Sequence, residues 1–458
     1  MNERAKSVSR LLVEIVVVTL ATLAMPAFSG RQVLSGATSE APSPGPDLTG
    51  LHGSLAAYLQ NGDPSYGWQL VGTRSLPGQG TLYSLALTSQ TWQGITWRHR
   101  LQLFIPAAVG NREMALLYIT GSGADPEELQ YMSMVAAATQ APVAILYDVP
   151  NQPLFGQLYE DALIAYTFKE FLETGDQTWP LLLPMTKSAV RAMDAIQEFA
   201  DQKLHHLIKG FVVLGASKRG WTTWLTAAID PRVKGIAPMV YNNLNLAEQM
   251  KLQLRSFGTF SSEIADYTEL GLTQIAQSEE GAKLAAIVDP YSFREALTMP
   301  KLIIIGTNDP YWPADALNVY YDDLPGRNYI LALPNAGHGL GDFEMILNTL
   351  SAFYLDVAGQ LQLPEIRWQF KEENDSAELL VDPAPGIESV DFWIAASPSR
   401  DFRHAGWVQT ASDNEAPFVQ TIKRLPGMWI GVLGQVRVKA GDRTVILTTP
   451  VFLTGEES

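Results

Sequence analysis

The sequence predicts an α/β protein: a mostly parallel sheet covered by helices on both faces, followed by a smaller all-β region. Two observations carry this expectation. Short apolar runs without alternation recur between residues 114 and 333, with helical spacing between them. A strand buried on both faces reads as a continuous apolar run, and parallel strands need a crossover helix between them. After Pro364 the pattern changes to short strands and turns with no helical spacing.

The elements follow in order. Trp68–Thr73, Leu82–Thr91 and Ile95–Ile105 alternate and are joined by Pro-Gly and Gln-Gly turns, which predicts strands. Met114–Ile119 is a buried strand ending in Thr120-Gly-Ser-Gly-Ala124, and Pro126–Thr139 a helix. Pro142–Tyr147 is the next strand. Glu160–Glu173 and Thr186–Gln202 have amphipathic helical spacing. The strand Gly210–Gly215 runs into a helix at Ser217, and Val233–Tyr241 is strand-like. Residues 242–299 are helical and polar, an insertion before the strand Lys301–Gly306. Tyr329–Leu333 and a helix over Phe343–Val357 close the unit. Beyond it, Ile366–Phe370, Ala377–Val381, Val390–Ala395, Met428–Lys439 and Arg443–Leu453 predict a small antiparallel β-domain, residues 363–458, of sandwich type.

Composition bounds the function. A length of 458 residues suggests two or three domains, and 47% hydrophobic against 17% charged residues supplies cores for them. A net charge of −16 excludes nucleic acid as a partner, because phosphate binding needs a concentrated basic surface. The absence of cysteine excludes disulfides, thiolate metal sites and a cysteine nucleophile. At the N-terminus Arg4, Lys6 and Arg10 precede an apolar stretch from Leu11 to Met25, and small residues stand at Ala27 and Ser29. This pattern predicts a secretory signal over residues 1–29 and a flexible linker over 30–50, with a retained membrane anchor as the alternative. Once the signal is removed, no stretch is long and apolar enough to span a membrane.

The chemistry sits at the carboxyl ends of the predicted strands, where open α/β sheets place it. Ser217 occupies the strand-to-helix turn Gly215-Ala-Ser-Lys-Arg-Gly220. The usual G-x-S-x-G spacing exposes a serine nucleophile on such a turn. Here the second glycine is one place late and Arg219 stands in its position. A helix N-cap is the other role a serine has there. His338, in Asn335-Ala-Gly-His-Gly339, lies after the last sheet strand and is the candidate general base. Asp309 ends the strand before it and would accept the imidazole N–H; Asp315 and Asp342 are the other candidates for the acid. Serine, acid and histidine in this chain order specify the α/β-hydrolase fold, with the helical insertion near 242–299 as a cap.

The backbone N–H of Lys218 and an N–H from the turn Gly121, Ser122, Gly123 are the expected oxyanion donors. Trp221, Trp312 and Tyr311 are candidate pocket residues. Glu160 joins them: with Asp161 it either favours a helix N-terminus or faces a cationic group of the substrate. No metal-ligand spacing and no phosphate-cradling loop occurs, and no cofactor is expected.

Four segments carry a family resemblance. They are Ser217-Lys-Arg-Gly-Trp-Thr-Thr-Trp224, Leu87-Thr-Ser-Gln-Thr-Trp92 with Trp97, Glu160-Asp-Ala-Leu-Ile-Ala-Tyr166 and Pro184-Met-Thr-Lys-Ser-Ala-Val190. Over residues 55 to 450 the chain resembles the PhoPQ-activated pathogenicity-related family, which includes autocrine proliferation repressor proteins. The resemblance implies an exported α/β-hydrolase-like protein with a C-terminal β-domain, and no particular substrate. The turn is also similar to the S-R-x-G turn of glucuronoyl esterases, which would cast the Lys218 side chain as an oxyanion group; solvated or structurally paired Lys218 and Arg219 side chains are the alternative.

The sequence therefore predicts an exported serine hydrolase acting on a small-molecule ester. A serine peptidase and a non-catalytic secreted binding protein on the same scaffold are the alternatives. The β-domain is a candidate surface for a protein or polymer partner.

Overall fold

A computed structural model describes residues 53–121, 126–410 and 416–456. The expected signal peptide and linker lie outside the described residues, as do Ser122 and Gly123.

Among the described residues a nine-stranded sheet is built from β1 (Gly67–Leu76), β2 (Gly80–Trp92), β3 (Ile95–Pro106), β4 (Met114–Ile119), β5 (Val143–Leu146), β6 (Gly210–Ala216), β7 (Val233–Met239), β8 (Lys301–Gly306) and β9 (Asn328–Leu333). Their spatial order is β1-β2-β3-β5-β4-β6-β7-β8-β9. The first three strands form an antiparallel meander, and β4 to β9 run parallel to one another. The apolar runs predicted this: every residue of β5 and β8 is buried, as strands covered on both faces must be.

The helices are α1 (Ser54–Gln60), α2 (Pro126–Thr139), α3 (Glu160–Thr174), α4 (Leu182–Phe199), α5 (Lys218–Ile229), α6 (Leu246–Phe257), α7 (Ala265–Glu269), α8 (Glu279–Val288) and α9 (Phe343–Val357). Alternate strand residues feed two cores. Leu117, Ile119, Phe211 and Val213 pack with α3, α4 and α5. Leu116, Val212, Leu214 and Ile304 pack with α2 and α9 on the opposite face. This is the α/β-hydrolase architecture, with α6 to α8 inserted between β7 and β8.

The C-terminal strands are β10 (Trp368–Glu372), β11 (Ser376–Val381), β12 (Ile387–Ser397), β13 (Val408–Gln409), β14 (Phe418–Lys423), β15 (Trp429–Ala440), β16 (Arg443–Thr448) and β17 (Phe452–Thr454). They form two antiparallel sheets, β10-β11-β14 and β13-β12-β15-β16, with β17 on β15. The expected strand Arg443–Leu453 is broken into β16 and β17 around Pro450, which has no N–H for the ladder. The two sheets share Leu379, Val381, Phe392 and Val436 with the core under α2 and α9. The β-domain thus extends the hydrolase core. Thr448 Oγ1 accepts from Ala332 N–H of β9 at 2.9 Å, and Thr349 of α9 donates to Ile446 O at 3.0 Å.

Two buried polar side chains are structural. His99 is bonded through Nδ1 to Tyr147 O and through Nε2 to Ser89 Oγ, and burial pushes it down to about 4, so it is neutral. Lys301, at the start of β8, donates to Met299 O and Pro325 O, and burial pushes its ammonium down to about 7. Between that value and the ordinary lysine range the unfolded chain holds a proton that the folded chain does not. Stability from this group therefore rises with pH across the window. Lys301→Met should abolish that rise. Denaturant unfolding of both proteins at about pH 6.5 and about pH 9 checks it, with a wild-type excess gain at the higher pH expected.

Candidate active site

The turn between β6 and α5 is built around Ser217. Its backbone lies at φ 56° and ψ −126°, a region that side chains with a Cβ rarely adopt, at a cost of about 1–3 kcal/mol. Its side chain makes no capping hydrogen bond to α5, which removes the N-cap role. Ser217 N–H donates to Met239 O of β7 at 2.8 Å and pins the turn to the sheet. The two glycines leave room for the helix to approach. A Cβ on Gly215 would lie 2.6 Å from Arg219 O, and one on Gly220 would lie 2.9 Å from Met239 O. The close approach to β7 falls at residue 220, which is why the second glycine stands one place late.

Arg219, at the usual glycine position, reaches across to α3. Its guanidinium grips Glu160 at the start of α3 through two bonds of 2.7 Å, and Nε donates to Val149 O at 2.6 Å. A Cβ on Gly121 would lie 2.6 Å from Arg219 Nη2, so Gly121 rests against this guanidinium. Lys218 is buried, with Nζ 2.9 Å from Glu160 and 3.0 Å from Asp161. Two carboxylates and two cations neutralise one another beside Ser217. Burial alone would raise Glu160. The hydrogen bonds and charge of Arg219, with Lys218, outweigh it and hold the carboxyl down at about 2. The Lys218 ammonium is therefore an internal counter-ion, not the free oxyanion group suggested by the glucuronoyl esterase turn. Its backbone N–H belongs to the first turn of α5, where no intrahelical acceptor exists.

Asp309 and His338 are brought together as expected. His338 Nδ1 lies 2.8 Å from Asp309 Oδ2, and Asp309 Oδ1 accepts from Tyr311 N–H at 2.9 Å. A carboxylate only accepts, so Nδ1 carries the proton and Nε2 is the basic nitrogen. Nε2 is buried without a hydrogen-bond partner among the described residues, which costs about 1–3 kcal/mol. The Ser217–His338 hydrogen bond is accordingly not made. The Tyr311 ring stacks on His338 with centroids 4.2 Å apart. The alternative acids are occupied elsewhere: Asp315 is ion-paired with Arg400, and Asp342 caps α9.

A cavity of about 90 Å³ opens beside Ser217. Trp221, Trp312 and Tyr311 line it, as does Asp161; Glu160 does not, because it turns to Arg219. Tyr241 and Tyr267 complete the walls, and Leu246, Met250, Ile264, Leu272 and Leu284 of the insertion form an apolar roof. The insertion was expected as a cap, but its apolar lining was not, because residues 242–299 read as polar. The spacing of Leu246 and Met250, one helical turn apart, was the available signal.

A family model described as PhoPQ-activated pathogenicity-related protein matches residues 55–403. Autocrine proliferation repressor protein A of Dictyostelium discoideum is 32% identical over 377 residues, 76% of each chain. Acetyl xylan esterase 1 from a Thermoanaerobacterium species is 17% identical with a TM-score of 0.47, covering 68% of this chain and 95% of that one. An acetyl xylan esterase from a Paenibacillus species is 14% identical with a TM-score of 0.48, covering 66% and 91%.

Because Glu160 is held below its usual value, its contribution to stability is present above the ordinary glutamate range and lost as pH falls toward about 2. Glu160→Gln should be less stable than wild type at neutral pH, with the deficit shrinking in acid. Unfolding curves at about pH 7 and about pH 3 check the sign.

Proposed function

The chain belongs to the PhoPQ-activated pathogenicity-related family, and from that premise we propose that it is a serine hydrolase cleaving carboxylic esters with a short apolar acyl group. The observation that carries this reading is Ser217: a strained residue whose hydroxyl does no structural work, on the same sheet end as a histidine with its basic nitrogen unpaired. In the substrate complex Ser217 Oγ turns to His338 Nε2. Catalytic hydrogen bonds often tighten only when substrate binds.

Ser217 Oγ attacks the carbonyl carbon and its proton passes to Nε2. The carbonyl electron pair moves onto oxygen, where the Lys218 N–H at the helix N-terminus receives the charge. The tetrahedral intermediate collapses, and the alcohol leaves with the proton from Nε2. Water then gives a proton to Nε2 and attacks the acyl-enzyme; the acid leaves and Ser217 recovers its proton. Asp309 stays ionised and fixes the imidazole.

The neutralised Glu160, Asp161, Lys218 and Arg219 cluster favours an ester over a peptide N-terminus, since its carboxylates are already satisfied. The apolar roof favours an acyl chain without charge. The basic-then-apolar N-terminus supports action outside the cytoplasm. A second reading, a non-catalytic extracellular regulator, is favoured by the unmade Ser217–His338 bond and by the name of the Dictyostelium relative.

A panel of p-nitrophenyl esters and aminoacyl anilides separates these readings. Acetate and butyrate esters should be hydrolysed faster than octanoate, and the anilides should be poor substrates. Ser217→Ala should lower kcat about a thousandfold or more. Met250→Ala should enlarge the cavity and move the preference toward longer acyl chains. Activity surviving in Ser217→Ala would refute the nucleophile. A folded wild type that turns over no ester would favour the second reading.

A further inference from the structure

We propose that the segment Arg400–Trp407 of the β-domain is a positioning element of the active site, acting through Asn308 and Asn335. This rests on Asp309 as the acid and His338 as the base. The segment joins β12 to β13, far in sequence from both catalytic loops.

Asn308 immediately precedes Asp309. Its Nδ2 donates to Ala405 O at 2.7 Å and to Phe402 O at 3.0 Å, with Arg403 O at 3.4 Å. Asn335 stands three residues before His338. Its Nδ2 donates to Trp407 O at 2.9 Å, and its Oδ1 accepts from Trp407 N–H at 2.7 Å. A side-chain amide that uses its donor and its acceptor on one residue's backbone fixes orientation as well as distance.

The two loops are also tied to each other. Asn335 N–H donates to Thr307 Oγ1 at 3.0 Å, Thr307 Oγ1 donates to Asn308 Oδ1 at 2.8 Å, and Asn308 N–H donates to Ala336 O at 2.9 Å. The segment itself is rigidly seated. Phe402 and Trp407 are buried, and Arg400 pairs with buried Asp315 while lying over the Trp429 ring at 4.5 Å. Arg403 lies 3.9 Å over the Phe257 ring at the end of α6, so the same segment touches the cap.

His338 is flanked by Gly337 and Gly339, which offer the loop no side chains for its own anchoring. Asp309 and Tyr311 hold the ring, and the loop backbone is held through Asn335 and Ala336. Misplacing a reacting group by about 1 Å can cost about a hundredfold in rate, so the clamp bears on kcat more than on substrate binding.

Asn335 has φ 60°, which Gly and Asp tolerate, and this permits a clean test in the full chain. Asn335→Gly keeps the backbone and removes both amide bonds; Asn335→Asp keeps the acceptor for Trp407 N–H. Two readouts are used: ester kcat and KM, and the low-field proton resonance of His338 Nδ1, assigned by its loss in His338→Gln. Asn335→Gly should lower kcat about tenfold or more with KM within about twofold, and should shift or broaden the resonance. Asn335→Asp should recover part of each. Unchanged kcat and an unchanged resonance in folded Asn335→Gly would overturn the proposal. If wild type hydrolyses no ester, the hydrolase reading fails and the resonance decides alone: its change in Asn335→Gly upholds the clamp and its persistence overturns it. Should Asn335→Gly not fold, Asn308→Ala is judged by the same readouts.

Discussion

The backbone of Ser217 is held at positive φ by its surroundings, and the remainder of the site is arranged about that constraint. The Ser217 N–H bond to Met239 O fixes the turn from β7, while Gly215 and Gly220 let α5 approach the sheet at van der Waals distance. The conformation aims the hydroxyl at the cavity and removes it from helix capping. A local cost of about 1–3 kcal/mol is small against the burial of Trp221, Trp224 and Leu225 on the same helix, each contributing about 1.5–3 kcal/mol.

The charges next to this turn do a second job. Lys218 and Arg219 cross to Glu160 and Asp161 and tie α5 to α3, and Arg219 also rests against Gly121. Ser217, Gly121 and the first residues of α3 therefore form one braced unit. Asp309 and His338 form another, bonded to the β-domain through Asn308 and Asn335. In the proposed hydrolase reading, substrate lies between the two, under the apolar roof of the insertion.

Much of this was legible in the sequence because it rests on local pattern. Continuous apolar runs mark strands buried on both faces, and each candidate residue followed one of them. What was not legible depends on distant partners. Arg219 finds Glu160 59 residues away, and nothing near Lys218 announces that its ammonium is already paired. Asp309 led by its place at a strand end, but that place alone did not exclude Asp315 or Asp342; only the folded structure shows one facing His338, one facing Arg400 and one capping α9. Asn308 and Asn335 look like ordinary turn residues until the segment 402–407 is folded against them. β13, two residues long, and β14 carry too little pattern to stand out beside the turns around them.

The central claim, that Ser217 is an activated nucleophile, is tested most directly by covalent capture. Folded protein is treated with an alkyl fluorophosphonate, digested, and the modified peptide identified by mass. One adduct, on Ser217, is expected, forming much more slowly in His338→Gln. An adduct on another residue, or none on protein shown to be folded, would contradict it.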